Sequence, residues 1–142
     1  MSRILCIALA LGAALPACVM MELTRLKNDP VDFVRQVKPI LEASCLECHQ
    51  HRYEFAGLNL ETKERAMKGG RSGPVIVPGA PHRSRLYKVL LLGHDNPVAM
   101  PPTPERLARD YEQTLHDWIL QGAKWPEGVR LTPPQDWKNS RS

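Results

Sequence analysis

The chain is poor in several things that usually announce a role. Only 6% of its residues are aromatic, and no run of one charge sign is long enough to serve as a nucleic-acid arm. The 19 lysines and arginines are interspersed with 15 aspartates and glutamates, which leaves a net charge of +4. That mild excess gives no footing for nucleic acid. It suits at most a weak, salt-sensitive face towards an acidic protein partner. No internal repeat is present, which excludes a solenoid. The apolar run Ile4–Leu15 falls short of the about 20 residues that a membrane-spanning helix needs.

What is present fits one small domain of 142 residues, with 43% hydrophobic residues and 13 prolines. This mixture predicts short helices joined by long, proline-punctuated loops. So small and loop-rich a chain needs a disulfide framework, a metal or a covalent prosthetic group besides apolar burial.

The first residues read as an export signal. Met1-Ser2-Arg3 is a positive start, Ile4–Leu15 is uncharged and apolar, and small residues follow, so residues 1–17 have the three-part secretory layout. A buried first helix would show polar alternation, and this run shows none. Leu15-Pro16-Ala17-Cys18 also resembles the lipobox of bacterial lipoproteins, which makes Cys18 the lipidation candidate. Ordinary cleavage after Ala17 would instead leave an exposed thiol in an oxidising compartment. The expectation is an exported, periplasmic protein that touches the membrane only through a lipid at Cys18, with residues 18–31 as a polar tether.

Of the four cysteines, Cys6 and Cys18 belong to that leader, so the folded part keeps only Cys45 and Cys48. They stand in Cys45-Leu46-Glu47-Cys48-His49, the C-x-x-C-H pattern of haem c attachment. Two thiols at this spacing match the two vinyl groups on one edge of the macrocycle, and the adjacent histidine can place an imidazole nitrogen on the iron. A zinc site would need two more ligands, and no second cysteine pair exists. A thioredoxin-like motif would follow a strand, whereas this one follows a helical pattern. A disulfide across so short a loop would be strained. One covalent haem c is therefore expected, with Cys45, Cys48 and His49 binding it.

An electron carrier also needs a sixth iron ligand. A methionine thioether is soft, favours Fe(II) and raises the potential. Met100 lies in a loop before the last helical pattern and is stiffened by Pro101 and Pro102. Most methionines merely fill cores, yet that position favours ligation. His94, in the same loop, is the runner-up. His51 is too close to His49 to cross to the other face, and Met67 reads as structural. The haem propionates need donors, and Arg52, Arg71, Arg83 and Arg85 are all available, with nothing in the sequence to choose among them.

Local patterns place the helices. Asp32 caps a segment with Phe33, Val34, Val37, Ile40 and Leu41 on one side, and Pro39 either kinks it or opens a second piece. Gly57–Glu61 alternates as an extended stretch. Thr62 caps a helix through Met67 that Gly69-Gly70 ends, and Ser84 caps one through Leu92. Residues 72–79 form a rigid apolar loop, a wall for a flat macrocycle. Thr103 caps the last helix, with Leu107, Tyr111, Leu115, Trp118 and Ile119 as its buried stripe and Gly122 beyond its end. The domain is placed at residues 32–126, and residues 127–142 are read as a proline-rich tail.

Several segments, in this order, resemble the planctomycete-type cytochrome c domain: Val37-Lys38-Pro39-Ile40-Leu41, Cys45-x-x-Cys48-His49, and Gly57-Leu58-x-Leu60. So do Ser72-Gly73-Pro74-x-Ile76-Val77-Pro78-Gly79, Met100-Pro101-Pro102, and Trp118-Ile119-x-x-Gly122-Ala123-x-Trp125-Pro126. The resemblance implies an all-α, class I-like fold of short helices and long loops wrapped round one haem. It also implies His/Met iron at His49 and Met100. The family usually has glycine after the motif histidine, where this chain has Gln50-His51-Arg52. The expected function is single-electron transfer between redox protein partners, with no catalytic group beyond the iron. The rivals are a peroxidase-like or gas-binding haem protein with a labile sixth ligand, and a haem subunit of a larger oxidoreductase.

Overall fold

The structure is a computed structural model that describes residues 29–133. The signal, the lipidation candidate Cys18, most of the tether and Trp137 lie outside the described residues. The chain divides into two compact units, Met1–Pro30 and Val31–Ser142, and every helix among the described residues belongs to the second.

Among the described residues the regular structure is helical, and the one β-bridge is the isolated pair Gly70 and Gly73. The first element is a π-helical turn, Phe33–Val37, followed directly by α1, Lys38–Ser44. Asp32 caps the turn, its carboxylate accepting from the Arg35 N–H at 3.0 Å, while the Gln36 side chain accepts from the Asp32 N–H at 2.8 Å. Pro39 explains the change of pitch. It has no N–H for the Arg35 carbonyl, and the Lys38 N–H reaches back five residues to the Phe33 carbonyl. Pro39 then occupies the first turn of α1, where the missing donor costs nothing. Phe33, Val37, Ile40 and Leu41 are buried, but Val34, expected on the same side, is 45% exposed.

Helix α2, Lys63–Lys68, starts at Thr62, whose hydroxyl accepts from the Arg65 N–H at 3.4 Å, and stops at Gly69. Glycine is needed there: the backbone has φ +81°, and a Cβ would lie 2.2 Å from the Gly73 carbonyl oxygen. Helix α3 is shorter than its pattern suggested, Arg85–Lys88, after a 3₁₀ turn at Pro81–Arg83. Ser84 precedes it but does not cap it with its side chain. Its buried hydroxyl instead accepts from the Val77 N–H at 2.8 Å and lies 3.0 Å from the Ala80 carbonyl, pinning the 72–79 loop to α3.

Helix α4 runs Arg109–Leu120, so it begins well after Thr103. The Thr103 hydroxyl donates to the Glu105 carbonyl at 2.8 Å instead of capping. Asp110 and Glu112 supply acidic charge to the first turn. Leu115, Trp118 and Ile119 are buried as the stripe required, and Leu107 is buried just ahead of the helix, but Tyr111 is 49% exposed.

The packed chain continues past Pro126. Trp125 and Leu131 are buried, the Leu131 N–H donates to the Glu61 carbonyl at 2.9 Å, and the Thr132 N–H donates to the Glu42 carboxylate at 2.7 Å. The stretch read as the start of a tail is a strap across α1 and the loop after the Cys45–His49 motif.

Candidate functional site

The Cys45–His49 motif continues α1 as tight turns. The Cys45 N–H bonds the Leu41 carbonyl at 3.0 Å, and the Cys48 and His49 N–H groups return to the Cys45 carbonyl at 3.3 and 3.1 Å. Leu46, fully buried, anchors the turn from below. The chain then reverses through Glu54 and Ala56, both in left-handed backbone at φ 28° and 57°. Such conformations persist only where the surroundings hold them. Here the Glu54 N–H bonds the Gln50 carbonyl at 2.8 Å, and its carboxylate receives Asn59 and Arg65 at 3.0 Å each. The Leu60 N–H closes the loop on the His49 carbonyl at 2.8 Å.

This reversal builds one wall of a cleft of about 190 Å³ that is partly open to solvent. Cys45 and His49 line it from the motif, Leu58 and Leu60 from the reversal, Val75 from the apolar loop, and Met100 from the loop before α4. The lining is largely aliphatic. Cys48 is half-buried beside the motif and is not part of the lining. His94 is exposed and does not line the cleft. Of the four arginines, Arg71 and Arg85 line it, whereas Arg52 and Arg83 do not.

The chemistry of the lining is that of neutral donors. Burial, reinforced by the neighbouring Cys48, pushes the Cys45 thiol up to about 12, so it stays protonated. Burial also holds His49 below the usual histidine range, only partly offset by the Phe55 and Leu58 carbonyls. The His49 Nδ1 is buried without a hydrogen-bond partner. An unpaired buried nitrogen of this kind costs about 1–3 kcal/mol and asks for a ligand or acceptor. A neutral imidazole that reaches a metal through one nitrogen while a carbonyl takes the other satisfies the ring. Among the described residues no cluster of three or more His, Cys, Asp or Glu side chains could hold a bare metal ion. Two thiols, one imidazole and an apolar cleft fit a macrocyclic metal cofactor held by thioether bonds.

Behind the motif lies a polar network that the sequence did not reveal. Glu61, 8% exposed, receives the His51 ring Nδ1 at 2.8 Å, the His51 N–H at 3.2 Å and the Asn59 amide at 3.1 Å. Gln50 is buried too, its amide donating to the Glu47 carbonyl at 3.3 Å. Burial opposes the charge on Glu61, but the hydrogen bonds from His51 and Asn59 outweigh it and hold the carboxyl below the usual range. A depressed folded-state pKa gives stability that is complete above the unfolded value of about 4.3 and is lost as pH falls below it. Glu61→Gln is therefore expected to cost about 1–3 kcal/mol at neutral pH. The difference from the parent protein should shrink in acid, which denaturant titrations at pH 7 and below pH 4 will measure. A pH-independent difference would detach the loss from the charge.

Comparison with known proteins bears on the same segment. The family model described as planctomycete cytochrome C matches residues 45–104, from the first motif cysteine past Met100. No curated protein and no solved structure gave a match.

Proposed function

We propose that the protein is an exported single-electron carrier with one haem, thioether-bonded at Cys45 and Cys48 and ligated by His49 and Met100, a reading supported by the match of residues 45–104 to the family model described as planctomycete cytochrome C. The carrying observation is that Met100, distant in sequence from Cys45 and His49, lines one aliphatic cleft with them. The bound group would supply the Fe(III)/Fe(II) couple, which takes up and releases one electron at a time. The chain's own residues do the rest. Cys45 and Cys48 fix the macrocycle's edge and orientation, and His49 offers a neutral imidazole. The aliphatic walls exclude water and lower the local dielectric, and Met100 offers a soft thioether that favours the reduced state. On this reading the helices are a class I-like cytochrome c arrangement. The leader sends the chain to the periplasm, and a lipid on Cys18 tethers it there, within reach of a donor and an acceptor protein.

Mass and absorption spectra of the exported protein test this together. The expected result is a mass that exceeds the processed polypeptide by one haem, plus a diacylglyceryl-type lipid, with a low-spin Soret band. A polypeptide that leaves the cytoplasm without a thioether-bonded haem sinks the haem reading. An unmodified Cys18 sinks the tether alone.

A further inference from the structure

The geometry points to Arg71 and Arg85 as the paired anchor for the two haem propionates, an assignment that rests on the haem reading of the cleft. They are the charged side chains of the cleft lining, and no carboxylate lines it with them. Neither enters an ion pair or a side-chain hydrogen bond among the described residues, whereas Arg65 is paired with Glu54 and Arg106 with the Leu92 carbonyl. Two uncompensated guanidiniums at the edge of an aliphatic cleft suit a ligand that is apolar over most of its area and carries two acidic groups. Each guanidinium can hold a carboxylate through two parallel hydrogen bonds. In haem the vinyl groups and the propionates occupy different edges. The cysteines come from the motif, and the arginines come from two other segments.

Both arginines are held by the fold. The Arg71 N–H donates to the Ala56 carbonyl at 2.8 Å, and its side chain crosses Gly57 so closely that a Cβ there would lie 3.0 Å from the Arg71 Cγ. Gly70 packs as tightly, since a Cβ on it would lie 2.7 Å from the Ala56 carbonyl oxygen. The reversal after the motif and the turn that carries Arg71 are thus clamped together. Arg85 opens α3, directly after Ser84, whose buried hydroxyl fixes that helix to the 72–79 loop. Arg52, though nearest the motif in sequence, lies outside the lining.

The haem-loaded protein tests the assignment with R71Q, R85Q and the double variant, beside K88Q, which removes a single positive charge from the exposed side of α3. Removing cations near the iron disfavours the less positive reduced state. The double variant should therefore keep its thioether haem while the Fe(II)/Fe(III) equilibrium constant falls about tenfold. Its midpoint should also gain a one-proton slope across the carboxyl range that the parent lacks, because an unpaired propionate would titrate there. K88Q should do neither. A double variant that behaves like K88Q overturns the assignment and leaves the haem reading intact. If the double variant takes up no haem, the parent protein decides: its haem methyl resonances should show no carboxyl titration above about pH 4, and an ordinary titration overturns the assignment. A parent protein without haem overturns both readings, and its mass shows that before any variant is made.

Discussion

Met100→Ala is expected to leave haem bonded to Cys45 and Cys48 while lowering the midpoint potential and opening the iron to added ligands. His94→Ala is expected to do neither. Met100 is half-buried against the core, lines the cleft, and is held by its N–H bond to the Val89 carbonyl at 3.0 Å. Alanine keeps that backbone bond and the Pro101-Pro102 sequence after it, so the change removes little besides the thioether. Axial ligands spread haem potentials over about 0.8 V. Exchange of a thioether for water should cost at least about a hundredfold in the Fe(II)/Fe(III) equilibrium, or about 0.1 V at about 59 mV per tenfold. Redox titration reads the first effect. Binding of azide to the oxidised protein and carbon monoxide to the reduced protein reads the second. A larger spectral change from His94→Ala would sink the His/Met assignment. Rapid carbon monoxide binding by the parent protein would favour a labile sixth position and the sensor-like or enzymatic reading.

The site was legible where its chemistry is local. Cys45, Cys48 and His49 fall within five contiguous positions, and Met100 stands out through the prolines beside it. What could not be read is what depends on chain reversal. Asn59 and Glu61 alternate with Leu58 and Leu60, a pattern that ordinarily means a solvated face. They turn inward because the Leu60 N–H is tied to the His49 carbonyl, which brings His51 and Glu54 to meet them. The place of Arg71 in the cleft lining depends likewise on Gly57 and Gly70, whose missing side chains let separate segments touch.

The helices follow the same division. Where a proline or glycine acts within a turn or two, the sequence located the element: Pro39 split the first segment and Gly69 ended α2. Caps misled where a hydroxyl had a better offer. Ser84 serves Val77 and Ala80 from across a loop, and the Thr103 hydroxyl donates to the Glu105 carbonyl while the helix starts only at Arg109. Val34 and Tyr111 have apolar or aromatic side chains at helical spacing, yet both stand exposed, since periodicity marks a face without fixing how wide its burial will be.

Trp125 carries the second large effect. It stands at the edge of what the sequence placed inside the domain, in a proline-bearing stretch where helical periodicity has ended, so nothing local marks it as core. In the fold its ring lies 4.2 Å from that of Phe33 and 6.4 Å from that of Trp118, and Phe33 and Trp118 are 5.7 Å apart. The π-helical turn, α4 and the strap after Pro126 thus meet in one aromatic cluster. Both indoles are satisfied: Trp118 Nε1 donates to the Lys124 carbonyl and Trp125 Nε1 to the Val129 carbonyl, each at 2.9 Å. Trp125→Ala would open a cavity where three segments join and release the bond that seats Val129. The expected loss is about 3–5 kcal/mol, with a fall in Tm of at least about 10 °C for a domain of this size. Trp125→Phe keeps the stacking and loses the Nε1 bond, so it should recover more than half of that loss. Thermal and denaturant unfolding of the haem-loaded protein would measure both variants. The aromatic cluster would lose its place as the clamp on the strap if Trp125→Ala unfolded within about 1 kcal/mol of the parent, for a buried indole cannot be removed so cheaply from a packed core.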